Sequence, residues 1–154
     1  GSLFLNKLYN GGIFMENNVI LNKIAIIERC MNRIDEVYNQ DATNLNDYTK
    51  QDSLILNLQR CCEASIDLAM HIVAQKGLGI PQTSREAFDL LLQKQMIPAE
   101  FAKHLKAIVG FRNIAVHDYQ ALNLKILQQI IENHLEDFRS FAHQILVYDT
   151  KENE

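Results

Sequence analysis

The chain has 154 residues, 47% hydrophobic and 22% charged, and a formal net charge of −4. That length supports one domain with a sizeable core. The charge excludes a general nucleic-acid coat protein, which would be basic, so any RNA contact must be a small local basic site.

Six glycines, two prolines and no tryptophan leave few turns and favour long helices over many short strands. Three cysteines, Cys30 and the adjacent Cys61 and Cys62, make a poor disulfide framework and point to a reducing cytoplasm. No Cys-x-x-Cys or His-Glu-x-x-His motif signals a metal site, so no metal ligand and no cofactor is expected. No apolar run reaches the ~18 residues of a membrane span, so no membrane contact is expected.

In chain order, residues 1–14, "GSLFLNKLYNGGIF", open with Gly-Ser, as cloning scars do, and lack a secretory signal's basic start and cleavage site. They are expected to be a non-native leader or disordered, with Met15 as the native start. A single domain is expected over 15–148, followed by a polar tail, 149–154. Leu21, Ile24, Ile27, Met31, Ile34 and Tyr38 recur at helical steps and predict a first helix. Turn chemistry fills 39–47. A second helix follows, with Leu54, Leu58, Cys61, Ser65, Leu68 and Ile72 on one face and Gly77 as its stop. Cys61 and Cys62 straddle its packing face, and Arg60 and Glu63 beside them read as a solvated face rather than a cleft wall.

"TSRE" (83–86) is a capping box that opens a short third helix through Phe88, Leu91 and Leu92. Pro98 suits the first turn of a fourth helix ending near residue 117. Asn123 caps a fifth, carrying Leu124, Leu127, Ile131, Leu135, Phe138 and Ile145 on its inner face. The expected fold is therefore all-α, an antiparallel bundle of four long helices and one short one. His71, His104, His134 and His143 are scattered along it and read as surface or satisfied histidines.

The fourth helix breaks the pattern. Phe101, Leu105, Ile108, Arg112, Ala115 and Tyr119 form a stripe in steps of 4, 3, 4, 3, 4, an apolar stripe with an arginine set in it. An unpaired buried charge costs several kcal/mol, so Arg112 needs a partner, a wet cleft, or an edge position from which its head reaches water. Lys103, Lys106, Gly110, Asn113 and His117 lie along an adjacent face, a candidate anion site in an acidic protein. Gly110 costs a helix roughly 1 kcal/mol relative to Ala and offers a bare backbone for close approach. Arg112 and His117 are about 140° apart on an ideal helix. They converge on one phosphate only if the helix loosens near its end or a second subunit contributes.

"RNIAVHDY" (112–119) resembles the Arg-x4-His-x-Tyr motif of the HEPN superfamily, specifically the toxin of HEPN–MNT toxin–antitoxin pairs, the HepT type. "KQDSLILNLQRCCEASIDLA", "LGIPQTSREAFDLL" and "LEDF" resemble it as well, so the likeness spans roughly 18–147.

The resemblance implies a HEPN-like fold and a cytoplasmic, type VII-like toxin that cleaves RNA without metal. Arg112 and His117 would be its catalytic pair, and Asn113 the polar residue that follows the arginine and orients substrate or His117. Tyr119 would be the residue that a minimal nucleotidyltransferase antitoxin modifies with AMP. It further implies a homodimer with both motifs facing one cleft, and a larger complex with the antitoxin. The alternative is a non-catalytic helical partner that presents nucleotide or substrate to such a transferase; it would not need an intact Arg112/His117 pair. A third reading is a helical interaction domain whose basic patch meets an acidic surface. Asp118, between the histidine and the tyrosine, has no assigned role.

Overall fold

The computed structural model describes residues 18–118 and 122–152. Every regular element among them is helical: α1 (Asn18–Tyr38), a 3-10 turn (Ala42–Asn46), α2 (Tyr48–Gln75), α3 (Ser84–Gln93), α4 (Ala99–His117), α5 (Leu124–Asn133) and α6 (Leu135–Glu152). The expected all-α bundle is what the chain forms. The leader 1–14 and Tyr119 lie outside the described residues.

α1 and α2 form an antiparallel pair, and α2 is the hub, touching α1, α3, α4 and α6. The inner faces read from the sequence are the buried ones. Leu21, Ile24, Ile27, Met31, Ile34 and Tyr38 of α1 are buried, as are Leu54, Leu58, Cys61, Ser65, Leu68 and Ile72 of α2. Cys61 and Cys62 are both sealed in the core and donate to backbone carbonyls across it, Cys61 to Ile27 and Cys62 to Ile108, each at 3.7 Å. Arg60 is exposed on the far side, away from α4.

Local chemistry sets the helix ends. Gly77, at φ 62°, closes α2: its N–H donates to the Ala74 carbonyl and the Leu78 N–H to Val73, the pairing that satisfies the last carbonyls of a helix. Gln95 does the same for α3 at φ 58°. Thr83 accepts from the Glu86 N–H, and the Glu86 carboxylate reaches back to the N–H of Gln82. Asn123 caps α5 through the Lys125 N–H.

The structure departs from the sequence reading in three places. The expected fifth helix is two, broken at His134, so the bundle has two short helices rather than one. The apolar steps run unbroken through Ile131, Leu135 and Phe138, and no glycine or proline marks the break. Instead the His134 ring turns to the Asp137 carboxylate, 3.0 Å away in the first turn of α6. Acidic residues there, Glu136 and Asp137, suit a new helix start. Leu124, expected on the inner face, is exposed in the first turn of α5. Finally, α6 continues through Glu152 into the stretch expected as a polar tail. Asp149 is buried there on the same face as Ile145, and Lys76 from the end of α2 lies over the Tyr148 ring.

α6 is tied to the rest by an edge-to-face pair, Phe88 with Phe141 at 5.6 Å, and by Arg139, whose Nε is 3.4 Å from the buried Glu28 carboxylate of α1. α5 is tied to α1 by the Tyr38 hydroxyl, which donates to Glu132 at 2.5 Å. Burial, then the bond to Glu132, pushes the Tyr38 phenol up to about 12. Because the folded value lies above the ordinary one, this bond stabilises the fold fully below pH ~10 and is lost as pH rises through about 12. Tyr38→Phe is expected to lower stability by about 1–2 kcal/mol at neutral pH. Denaturant melts across pH 8–12.5 should show the gap between the two proteins closing at the alkaline end.

Candidate active site

α4 carries the site. Its last regular hydrogen bond runs from the Asp118 N–H to the Ile114 carbonyl at 2.8 Å, so the helix holds its period through His117. It does not loosen before its end. Within one chain Arg112 and His117 therefore stay about 140° apart around the axis and about 7.5 Å apart along it. His117 and Asp118 are exposed at the tip, and Arg112 and Asn113 are half-buried one turn earlier.

Arg112 is wedged where α2, α3 and α4 meet. Its Nε donates to Asn113 Oδ1 at 2.9 Å, and Nη2 approaches Ser84 Oγ at 3.5 Å. Burial pushes the Cys62 thiol well up, and the nearby Arg112 guanidinium opposes that rise. Both side-chain partners of Arg112 are neutral, and among the described residues no carboxylate pairs with it. The arginine in the stripe is thus positioned but not neutralised. Among the described residues Asn113 bonds to Arg112 and shows no bond to His117.

The basic face is thinner than its sequence suggests. Lys106 is taken up by Asp89 of α3 at 2.8 Å, while Lys103 is exposed. A second arginine replaces it: Arg85 of α3 donates from Nε to the Lys106 carbonyl at 3.3 Å and lies across Gly110. A Cβ on Gly110 would meet Arg85 Nη2 at 2.9 Å. The bare backbone at Gly110 accommodates this guanidinium. Sequence reasoning missed Arg85 because α3 and α4 are read separately along the chain; the glycine was the available signal.

Arg85, Gly110 and Asn113 line a groove of about 570 Å³ between α4 and α5, floored by Ile108, Phe111 and Ile130. Ile114 and Ile126 on its walls, and Val116 next to His117, are large apolar side chains left exposed. Two of the histidines read as scattered come together at its other end: His104 and His134 both face Asp137. His71 and His143 do not join them.

The Ribonuclease HepT-like family matches residues 27–145. The chain belongs to this family. It is 55% identical over 129 residues to the mRNA nuclease HepT of Shewanella oneidensis, covering 84% of this chain and 97% of that one. Against the tRNA nuclease HepT of Aphanizomenon flos-aquae it is 28% identical over 138 residues, 87% and 92% of the two chains. The fold superposes on a tri-AMPylated Shewanella oneidensis HEPN toxin in complex with MNT antitoxin with a TM-score of 0.81, at 53% identity, covering 85% of this chain and 98% of that one. The RNA-cleaving class implied by the motif is the class of the HepT-like family. No helix among the described residues is long and apolar enough to cross a membrane.

Gly110→Ala tests how rigid the Arg85 contact is. The obstructing atom is the far end of a flexible side chain, so Arg85 should swing aside. A gain of up to about 1 kcal/mol in helix propensity should then leave the protein equally or more stable. Thermal melts check this; a marked loss of stability would mean that Arg85 is locked in place over the glycine.

Proposed function

We propose that this chain is the toxin of a HEPN/MNT pair, an endoribonuclease that works through side chains alone and is silenced by AMPylation of Tyr119. The observation that carries this is Arg112: a half-buried guanidinium held by two neutral groups, in the motif that defines the family's site. Such a group is free to receive phosphate oxygens, which a planar guanidinium holds in a two-pronged grip.

RNA brings its own nucleophile. His117 takes the proton of the ribose 2′-hydroxyl or delivers one to the departing 5′-oxygen, roles an imidazole can fill near neutral pH. The 2′-oxygen bonds to phosphorus, the bond to the 5′-oxygen breaks, and the products are a 2′,3′-cyclic phosphate and a 5′-hydroxyl. Arg112 offsets the charge that builds on the phosphoryl oxygens. Asn113 fixes the plane of Arg112 and so the angle at which phosphate is met.

The unbroken period of α4 favours a second chain at the site. In a homodimer packed through the exposed Ile114, Val116 and Ile126, His117 of one protomer can approach the phosphate held by its partner. Two histidines in one cleft would also divide the acid and base roles. The Shewanella oneidensis toxin is described as tri-AMPylated and bound to an MNT antitoxin, which supports a nucleotidyltransferase as partner and inhibitor here. Adenylate on Tyr119, two residues beyond His117, would add negative charge and bulk at the phosphate site.

His117→Ala and Arg112→Ala should each reduce cleavage of total RNA by about 10²–10⁴-fold, with 2′,3′-cyclic phosphate ends mapped in the wild type. Recovery of 3′-hydroxyl ends, or full activity in His117→Ala, would reject the assignment. Co-expression with the antitoxin should add AMP mass to Tyr119, seen by mass spectrometry. An inactivated protein with an unmodified Tyr119 would count against the switch. Light scattering should give a dimer at micromolar concentration, weakened by Ile114→Asp.

A further inference from the structure

Away from Arg112 and His117, the fold assembles a second set of chemically competent side chains. His104 comes from the middle of α4, His134 from the break between α5 and α6, and Asp137 from the first turn of α6. Both Nδ1 atoms stand 3.0 Å from the same carboxylate oxygen, Asp137 Oδ2, and the two rings meet edge to face with centroids 4.7 Å apart. One atom of each of the three residues lies within 4.8 Å of the others.

The geometry of His104 is what a hydrogen-bonded triad does not explain. Its Nδ1 is buried from solvent and makes no hydrogen bond, although the Asp137 carboxylate is 3.0 Å away. The carboxylate sits off the line along which an Nδ1–H would donate. In its unprotonated form the same nitrogen carries a lone pair and can serve as a metal ligand. Zinc–nitrogen and zinc–oxygen bonds of about 2.0–2.2 Å hold neighbouring ligand atoms about 3.3–3.6 Å apart in a tetrahedral site. The nitrogen–oxygen separations here are 3.0 Å, so a small side-chain rotation brings them to that spacing.

We infer that His104, His134 and Asp137 form a divalent transition-metal site, for which Zn²⁺ is the fitting occupant. Two imidazole nitrogens and one carboxylate oxygen suit zinc and its neighbours. Calcium and magnesium take oxygen sets. All three side chains are partly exposed, and His104 and His134 line the 570 Å³ groove, so ion entry and a fourth, water ligand have a path.

The ion acts as a staple. It joins α4 to the α5–α6 break, where no glycine or proline fixes the turn, and so sets the width of the groove that Asn113 lines. His104 lies eight residues, about 12 Å along the helix, before Arg112. The metal therefore shapes the groove without touching the catalytic pair, and the inference stands whether or not the chain cleaves RNA.

The test uses untagged protein stripped with chelator and titrated with zinc chloride by calorimetry, and with Co²⁺ by visible absorption. The expected result is one ion per chain, a d–d band with Co²⁺, and a rise in melting midpoint of about 5–10 °C at a hundredfold excess over Kd. His134→Gln and Asp137→Asn, each verified as folded by circular dichroism, should weaken binding by at least about 100-fold. His143→Gln, at an exposed position on α6, should bind like the wild type. No zinc uptake by the wild type, unchanged affinity in both ligand variants, or an equal loss in His143→Gln would overturn the site.

Discussion

A guanidinium lodged in a protein wall, with no carboxylate paired to it among the described residues, is the constraint around which this bundle is arranged. Desolvating Arg112 costs free energy that a buried ion pair would offset, yet its bonds run to a serine hydroxyl and its neighbour's amide. The wall tolerates the charge because Arg112 is only half-buried. Neutral partners fix its direction and leave its charge unspent. Elsewhere the chain treats cations differently: Lys106 is matched by Asp89, Lys23 by Asp67 and Arg139 by Glu28. Arg112, half-buried, is bonded to neutral groups instead.

The neighbouring helices pack α4 from several sides. α2 backs it with small and soft residues, Cys62 bonding to the Ile108 carbonyl, and α3 crosses it where Gly110 leaves space for Arg85. A straight helix keeps arginine and histidine on different faces. Ile114, Val116 and Ile126 near the helix end remain exposed, an apolar surface of the kind that a partner covers.

The α5–α6 break belongs to the same logic. One continuous helix over 124–152 would carry its C-terminal half on along the α5 axis. Breaking at His134 lets α6 pack Phe138, Phe141 and Ile145 against α1, α2 and α4 while α5 stays beside the 3-10 turn. The helix termini created there need polar partners, and His134 and Asp137 supply them to each other.

Period, caps and motif were legible in the sequence by itself. The buried faces of α1 and α2 follow from apolar spacing, the ends of α2, α3 and α5 from Gly77, Thr83 and Asn123, and the family from the Arg112–Tyr119 motif, because each depends on residues within a turn or two of one another. Three features depend on residues far apart in the chain, and only the tertiary structure decided them. Arg85 reaches the site across 25 residues to Gly110; His104 of α4 comes to lie against Asp137 at the helix break; and Lys106 is withdrawn from the basic face by Asp89. Local periodicity carries no information about which helix will lie against which, so a charge's partner, and with it whether that charge is available for chemistry, is settled only when the helices pack.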